Sequence, residues 1–133
     1  MQKITPFLMF DGRAEEAMTL YISLFKNSEI LSKTLYKANE AGPEGSVMHA
    51  IFMLNGQEYM CIDSAVKHAF TFTPSISFYI VCETEDEINT LYQQLSSNGE
   101  VMMPLDTYPF SERFGWIADQ FGVSWQLDLK KKV

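Results

Sequence analysis

The sequence predicts an α+β fold made of two tandem β-α-β-β-β modules, each a curved mixed sheet with its helix outside. Three observations predict it. Residues 7–31, FLMFDGRAEEAMTLYISLFKNSEIL, fall without a gap on residues 78–102, FYIVCETEDEINTLYQQLSSNGEVM, with 8 identities in 25 positions at a displacement of 71. Phe7 meets Phe78, Thr19-Leu20-Tyr21 meets Thr90-Leu91-Tyr92, and Asn27 meets Asn98, while the apolar positions coincide. Self-similarity with a shared hydrophobic pattern marks a duplicated structural unit. In both copies a β-rich run precedes an amphipathic helix, and three strand-like segments follow.

Residues 4–10 and 75–82 are short runs dense in Ile, Phe, Val and Tyr, which reads as strand. In the first helix Ala14, Ala17, Met18, Tyr21, Leu24 and Phe25 recur at helical spacing, and in the second Ile88, Leu91, Tyr92 and Leu95 do so. Thr84 with Glu87 three residues on is a capping-box pattern that satisfies orphan donors at a helix start. Asn98-Gly99 supplies a left-handed stop. Residues 30–37, 47–54 and 57–63 follow the first helix as strands, with NEAGPEG and NG as turns. After the second helix come a short strand near 100–103, a loop PLDTYPFSE, and strands at 113–119 and 122–129. The first module covers about 1–66 and the second about 74–133 of a single domain, joined by SAVKHAFTFTP.

A four-stranded sheet with one helix has one covered face and one bare face. Two such sheets placed edge to edge can curve around a shared hollow. On 75–82 the alternation assigns Ile76, Phe78 and Ile80 to the helix and Ser75, Ser77 and Tyr79 to the hollow. On the last strand Trp125, Leu127 and Leu129 pack under the helix, and Ser124, Gln126 and Asp128 face inward.

Composition removes several function classes. A net charge of −7 opposes nucleic acid binding, which needs clustered Lys and Arg. The cluster Lys130-Lys131-Lys132 reads as a solvated tail. Apolar runs are too short for a membrane helix, and MQKITPF lacks a signal-peptide pattern. Cys61 and Cys82 sit in apolar runs and form no C-x-x-C pair, so buried free thiols in a reducing cytoplasm are expected.

The segments ITPFLMFDGRAEEAMTLYISLF, VMHAIFMLNGQEYMCID, PSISFYIVC and FGWIADQFGVSWQL, in that order, resemble the PhnB-like proteins of the vicinal oxygen chelate superfamily. That superfamily includes glyoxalase I, extradiol dioxygenases and bleomycin- and fosfomycin-resistance proteins. The resemblance implies a homodimer, reached for example by strand exchange, and a ligand cavity. Metal-dependent members place a His, a His or Gln, and a Glu on first and last strands. Here those places fall on Ile4 and Ser75, give or take one residue, on Gln126, and near Cys61 in the other half. A set without imidazole or carboxylate holds a divalent ion poorly, so no resident metal or other cofactor is expected. Gln126 can still orient a polar ligand through its amide. Some relatives carry a demethylubiquinone methyltransferase label. Of the G-x-G turn that the common methyltransferase type needs, the seven glycines supply none.

The candidate ligand-binding residues are His49, Asp63, Ser75, Tyr79, Trp116 and Gln126. His49 alternates with Val47 and Ile51 and serves either as ligand or general base in the hollow or as a half-buried histidine with one partner. His68, in the linker, reads as a surface residue. Asp63 and Asp128 end YMCID and WQLD at matching places; they either share a proton or cation, or cap the following turns. Glu58 reads as an edge carboxylate. Tyr79, Phe110, Phe114 and Trp116 form either an aromatic wall or plain core. Three functions stay open: a small-molecule binding protein with a degenerate metal site, an enzyme of lyase, isomerase or transferase type using His49 with a carboxylate, and a structural dimer with a filled cavity.

Overall fold

The structure, a computed structural model, describes residues 2–131 of the 133; Lys132 of the basic tail lies outside them. The chain forms two compact units, one ending at Ala69 and the other starting at Phe70.

In the first unit β1 (Phe7–Phe10) leads into α1 (Ala14–Leu24), followed by β2 (Glu29–Leu35), β3 (Val47–Leu54) and β4 (Gln57–Asp63). The sheet order is β1-β4-β3-β2, with β1 parallel to β4 and the other pairs antiparallel. The second unit repeats this with β5 (Phe78–Cys82), α2 (Glu85–Ser96), β6 (Glu100–Tyr108), β7 (Ser111–Ala118) and β8 (Ser124–Leu129), in the order β5-β8-β7-β6. Both units are thus β-α-β-β-β modules with mixed four-stranded sheets, an α+β fold.

Each helix buries the stripe its sequence lays down. Ala14, Ala17, Met18 and Tyr21 of α1, and Ile88, Leu91 and Leu95 of α2, are buried against their own sheets. Burying a side chain of the Ile or Leu type stabilises by about 1.5–3 kcal/mol, so these stripes fix which sheet face is covered.

The two helix starts are satisfied differently. Thr84 caps α2 locally, its hydroxyl accepting from the Glu87 N–H at 3.1 Å. Arg13 at the N-cap of α1 makes no side-chain cap bond. Instead Asp63, at the end of β4, reaches across: its Oδ1 accepts from Gly12 N at 3.0 Å and Ala14 N at 2.9 Å. Its Oδ2 accepts from Val47 N at 2.9 Å. One carboxylate therefore ties helix, β3 and β4 together and places negative charge at a helix N-terminus.

The repeat holds, with one correction. The helices start at Ala14 and Glu85, 71 residues apart, and left-handed Asn27 (φ 52) matches Asn98 (φ 59) at the same displacement. The first strands end at Phe10 and Cys82, 72 apart, because the turn into α2 is one residue shorter. A shift of one residue exchanges strand faces. Phe7 is accordingly 52% exposed on the bare face, whereas Phe78 packs on buried Trp125 with ring centroids 5.1 Å apart. Asp63 and Asp128 are likewise not equivalent. Phe10 pairs with Asp63 and Cys82 with Leu129, so Asp63 corresponds to Leu129 and points to the helix side.

Two of the differences in strand boundary from the sequence expectation bear on the site. β5 begins at Phe78, leaving Ser75 in the preceding turn and Ile76 75% exposed rather than under the helix. PLDTYPFSE is not a loop: β6 runs through Pro104 to Tyr108, with register shifts along its pairing to β7. A proline is tolerated there because β6 is an edge strand. The stop after α2 uses Asn98 as its left-handed residue; Gly99 is required because a Cβ there would lie 2.2 Å from the Ala118 carbonyl oxygen.

Candidate functional site

The bare face of the β5-β8-β7 sheet gathers most of the polar and aromatic candidates. Pairing puts Tyr79, Gln126 and Trp116 in one row across three strands, and Asp128 beside Phe114 in the next. Phe78, Ile80, Trp125 and Leu127 occupy the opposite, helix-facing side by strand alternation.

Gln126 is held within a hydroxyl chain. Its Nε2 donates to Ser77 Oγ at 3.2 Å, Ser77 Oγ and Ser124 Oγ are 2.6 Å apart, and Trp116 Nε1 donates to Ser124 Oγ at 2.8 Å. The amide is thereby fixed in orientation, its oxygen left as the acceptor a ligand can use. The turn leading here is set by Asp119, whose Oδ1 accepts from Phe121 N and Val123 N while Oδ2 accepts from Trp125 Nε1 at 2.8 Å.

Asp128 is the second focus. It has no solvent exposure, yet it carries three partners: Tyr79 Oη donates to Oδ2 at 2.5 Å, Lys130 Nζ sits 2.6 Å from the same oxygen, and Ser111 Oγ donates to Oδ1. Burial works against the carboxylate charge, but the bonds from Lys130, Ser111 and Tyr79 outweigh it and hold Asp128 below the ordinary carboxylate range. Burial first, then the bond to Asp128, pushes the Tyr79 phenol up. The Lys130 ammonium also lies 5.6 Å from the Tyr79 ring centroid. Lys130 is therefore anchored rather than a loose tail residue.

Around this carboxylate stands an aromatic cluster. Phe114 lies 6.4 Å from Tyr79, 5.0 Å from Phe110 and 6.0 Å from Tyr108, centroid to centroid. Tyr79 is 50% and Phe110 56% exposed, so the cluster has an open side. Sequence reading found Tyr79, Phe110, Phe114 and Trp116 by residue type. The alternation places Asp128 on the inward face but leaves its role open between a shared proton or cation and a turn cap, and nothing local points to Lys130 or Ser111; only the pairing of β8 with β5 and β7 brings these groups together.

The other candidates lie apart from this set. In the first unit His49 occupies the bare face with Ile51, edge-on to Phe7 at 6.1 Å between ring centroids. Asp63, 2% exposed and on the helix side, bonds three backbone amides, and that accounts for it without a ligand. It is not the carboxylate partner of His49, because the two point to opposite faces of one sheet. Ser75 is exposed and shares a hydrogen bond with Thr73 at 2.7 Å. Glu58 pairs with Lys3 at the sheet margin, and His68 is exposed.

The donor set does not fit a divalent metal at the places the superfamily uses. Ile4 has no donor and precedes β1, Ser75 precedes β5, and the Gln126 nitrogen is committed to Ser77. Cys61 is buried, its thiol pushed up to about 12 by burial and by the Asp63 charge, so it is not a thiolate ligand. Among the described residues no three His, Cys, Asp or Glu side chains group as a metal cluster. No described helix is long and apolar enough to cross a membrane.

Comparison with known proteins agrees with this architecture. The family described as 3-demethylubiquinone-9 3-methyltransferase matches residues 2–128. The PhnB protein of Bacillus cereus is 60% identical, with a TM-score of 0.95 over 96% of this chain and 99% of that one. Protein YjdN of Escherichia coli K12 is 21% identical, covering 97% of this chain and 96% of its own. A Glu-to-Gln mutant of the fosfomycin resistance protein FosX of Listeria monocytogenes, solved with Mn(II) and 1S,2S-dihydroxypropylphosphonic acid, shares the fold. Its TM-score is 0.67 at 10% identity, over 98% of this chain and 94% of that one.

Proposed function

The chain belongs to the PhnB-like family of the vicinal oxygen chelate superfamily, the family described as 3-demethylubiquinone-9 3-methyltransferase, and from that premise we propose that it binds a small organic molecule on the bare face of its second sheet, without a resident metal or other cofactor. The observation that carries this reading is the pairing of a fixed amide, Gln126, and a buried carboxylate, Asp128, with partly exposed aromatic rings on one surface. Ligand sites combine apolar walls with a few polar groups of fixed direction, and this face has that composition.

Methyl transfer is less well supported than binding. The turns from strand to helix are Asp11-Gly12-Arg13 and Glu83-Thr84, neither of them a G-x-G loop, and Gly12 N is already bound to Asp63. The protein acts as a homodimer in the cytoplasm. Two free, buried thiols support the reducing compartment, and the dimer is carried over from the family resemblance. Sedimentation that returns a monomer at micromolar concentration overturns the dimer.

The test of binding is a thermal-shift screen of metabolites against the chain and its Trp116→Ala and Gln126→Ala variants. A genuine ligand raises the native Tm in a concentration-dependent way and loses that effect in both variants. Hits that shift all three proteins equally place binding elsewhere and refute the reading.

A further inference from the structure

The second bare face contains an arrangement that points to the charge of its ligand. Asp128 is a fully buried carboxylate, and Lys130 puts a primary ammonium 2.6 Å from its Oδ2 and 5.6 Å from the Tyr79 ring centroid. Lys130 lies just beyond the end of β8, and its side chain is 60% exposed. A partly solvated stem thus delivers a cation to a desolvated acceptor bordered by Tyr79 and Phe114, with Phe110 packed on Phe114. Carboxylate plus aromatic faces is the chemistry that recognises organic ammonium ions.

Resting on the binding function above, we infer that this site takes a primary organic ammonium ion, and that Lys130 is an intramolecular stand-in which the ligand displaces. The incoming ammonium takes the place of Nζ: it donates to Asp128 Oδ2 beside the Tyr79 ring, and its hydrocarbon body lies along the exposed sides of Tyr79 and Phe110, over buried Phe114. Tyr79 Oη and Ser111 Oγ stay bonded to Asp128 throughout, keeping the carboxylate ionised and aimed. The opposite assignment, in which Lys130 recognises an anion, is disfavoured because its charge is already matched by Asp128. No bond is made or broken; the exchange is of one cation for another.

The experiment uses the full chain and n-butylammonium, which copies the lysine side chain beyond its Cα, with benzoate as the anionic control. Binding is followed by chemical shift changes at Tyr79 and Phe114. Removing a stand-in of surface ion-pair strength frees the site, so Lys130→Ala binds n-butylammonium about five-fold more tightly than the native chain. Asp128→Asn in that background abolishes binding. Because loss of a buried carboxylate can also disturb the sheet, Tyr79→Leu and Tyr79→Phe, each with Lys130→Ala, provide a second arm: both lose the Oη bond to Asp128, and the leucine variant binds about three-fold more weakly than the phenylalanine one, the order expected for one cation–π contact. Equal affinity in native chain and Lys130→Ala overturns the inference, as does benzoate binding that Lys130→Ala removes. A neutral compound that binds through Trp116 while n-butylammonium fails in every variant also overturns it, and leaves the binding function standing.

Discussion

Replacing Asp63 with alanine separates a structural carboxylate from a ligand-binding one. The change strips acceptors from three backbone N–H groups, those of Gly12, Ala14 and Val47. Gly12 is exposed and can turn to water, but Ala14 and Val47 are 0% and 1% exposed and cannot. Stranding a buried donor costs about 1–3 kcal/mol, so two of them predict a loss of about 4 kcal/mol, with the helix-end charge effect included in that range. That is a large fraction of the 5–15 kcal/mol that typically holds a domain folded. Asp63→Asn keeps one carbonyl acceptor but turns an N–H₂ toward a remaining donor, and the expected loss is about 2 kcal/mol. Urea unfolding followed by circular dichroism measures both. A loss under about 1 kcal/mol for alanine, with ligand affinity abolished in a folded protein, would falsify the structural assignment.

Three further outcomes follow from the same geometry. Gly99→Ala drives a methyl group onto the Ala118 carbonyl, 2.2 Å from the Cβ position, and lowers stability by about 2–3 kcal/mol on thermal unfolding, whereas Asn98→Gly changes it by less than about 1 kcal/mol. The folded Asp128 carboxyl is depressed below its ordinary value of 3.8, so its stabilisation is present above that pH and is lost as pH falls through the depressed value. Lys130→Ala removes one of the groups that depress it, and the acid-unfolding midpoint therefore moves to higher pH; an unchanged midpoint contradicts the network. Cys61 and Cys82 are each pushed up to about 12, chiefly by burial, so a disulfide reagent at pH 8 reacts with neither thiol until urea is added, and rapid labelling of the native chain contradicts their placement.

Local features were legible in the sequence wherever a few neighbouring residues decide the structure. The Thr84 cap, both helical stripes and the strands at 47–54 and 57–63 are of that kind. Features decided across the sheet were not. The gapless repeat concealed a one-residue difference in the turn after the first strand, and with it the opposite facing of Asp63 and Asp128. The cap of α1 could not be read locally, because its acceptor lies about fifty residues away, and neither could the convergence of Lys130, Ser111 and Tyr79 on one carboxylate. PLDTYPFSE reads locally as a loop, since the edge position that accommodates Pro104 in a strand is a property of strand order.

The margin formed by β6 has a consequence for the chain's behaviour in a crowded cell. Its ladder to β7 slips three times and contains an imino nitrogen that offers no hydrogen. An unfolded neighbour seeking to extend the sheet there meets an interrupted row of donors, and amyloid growth has no regular template to copy along that rim.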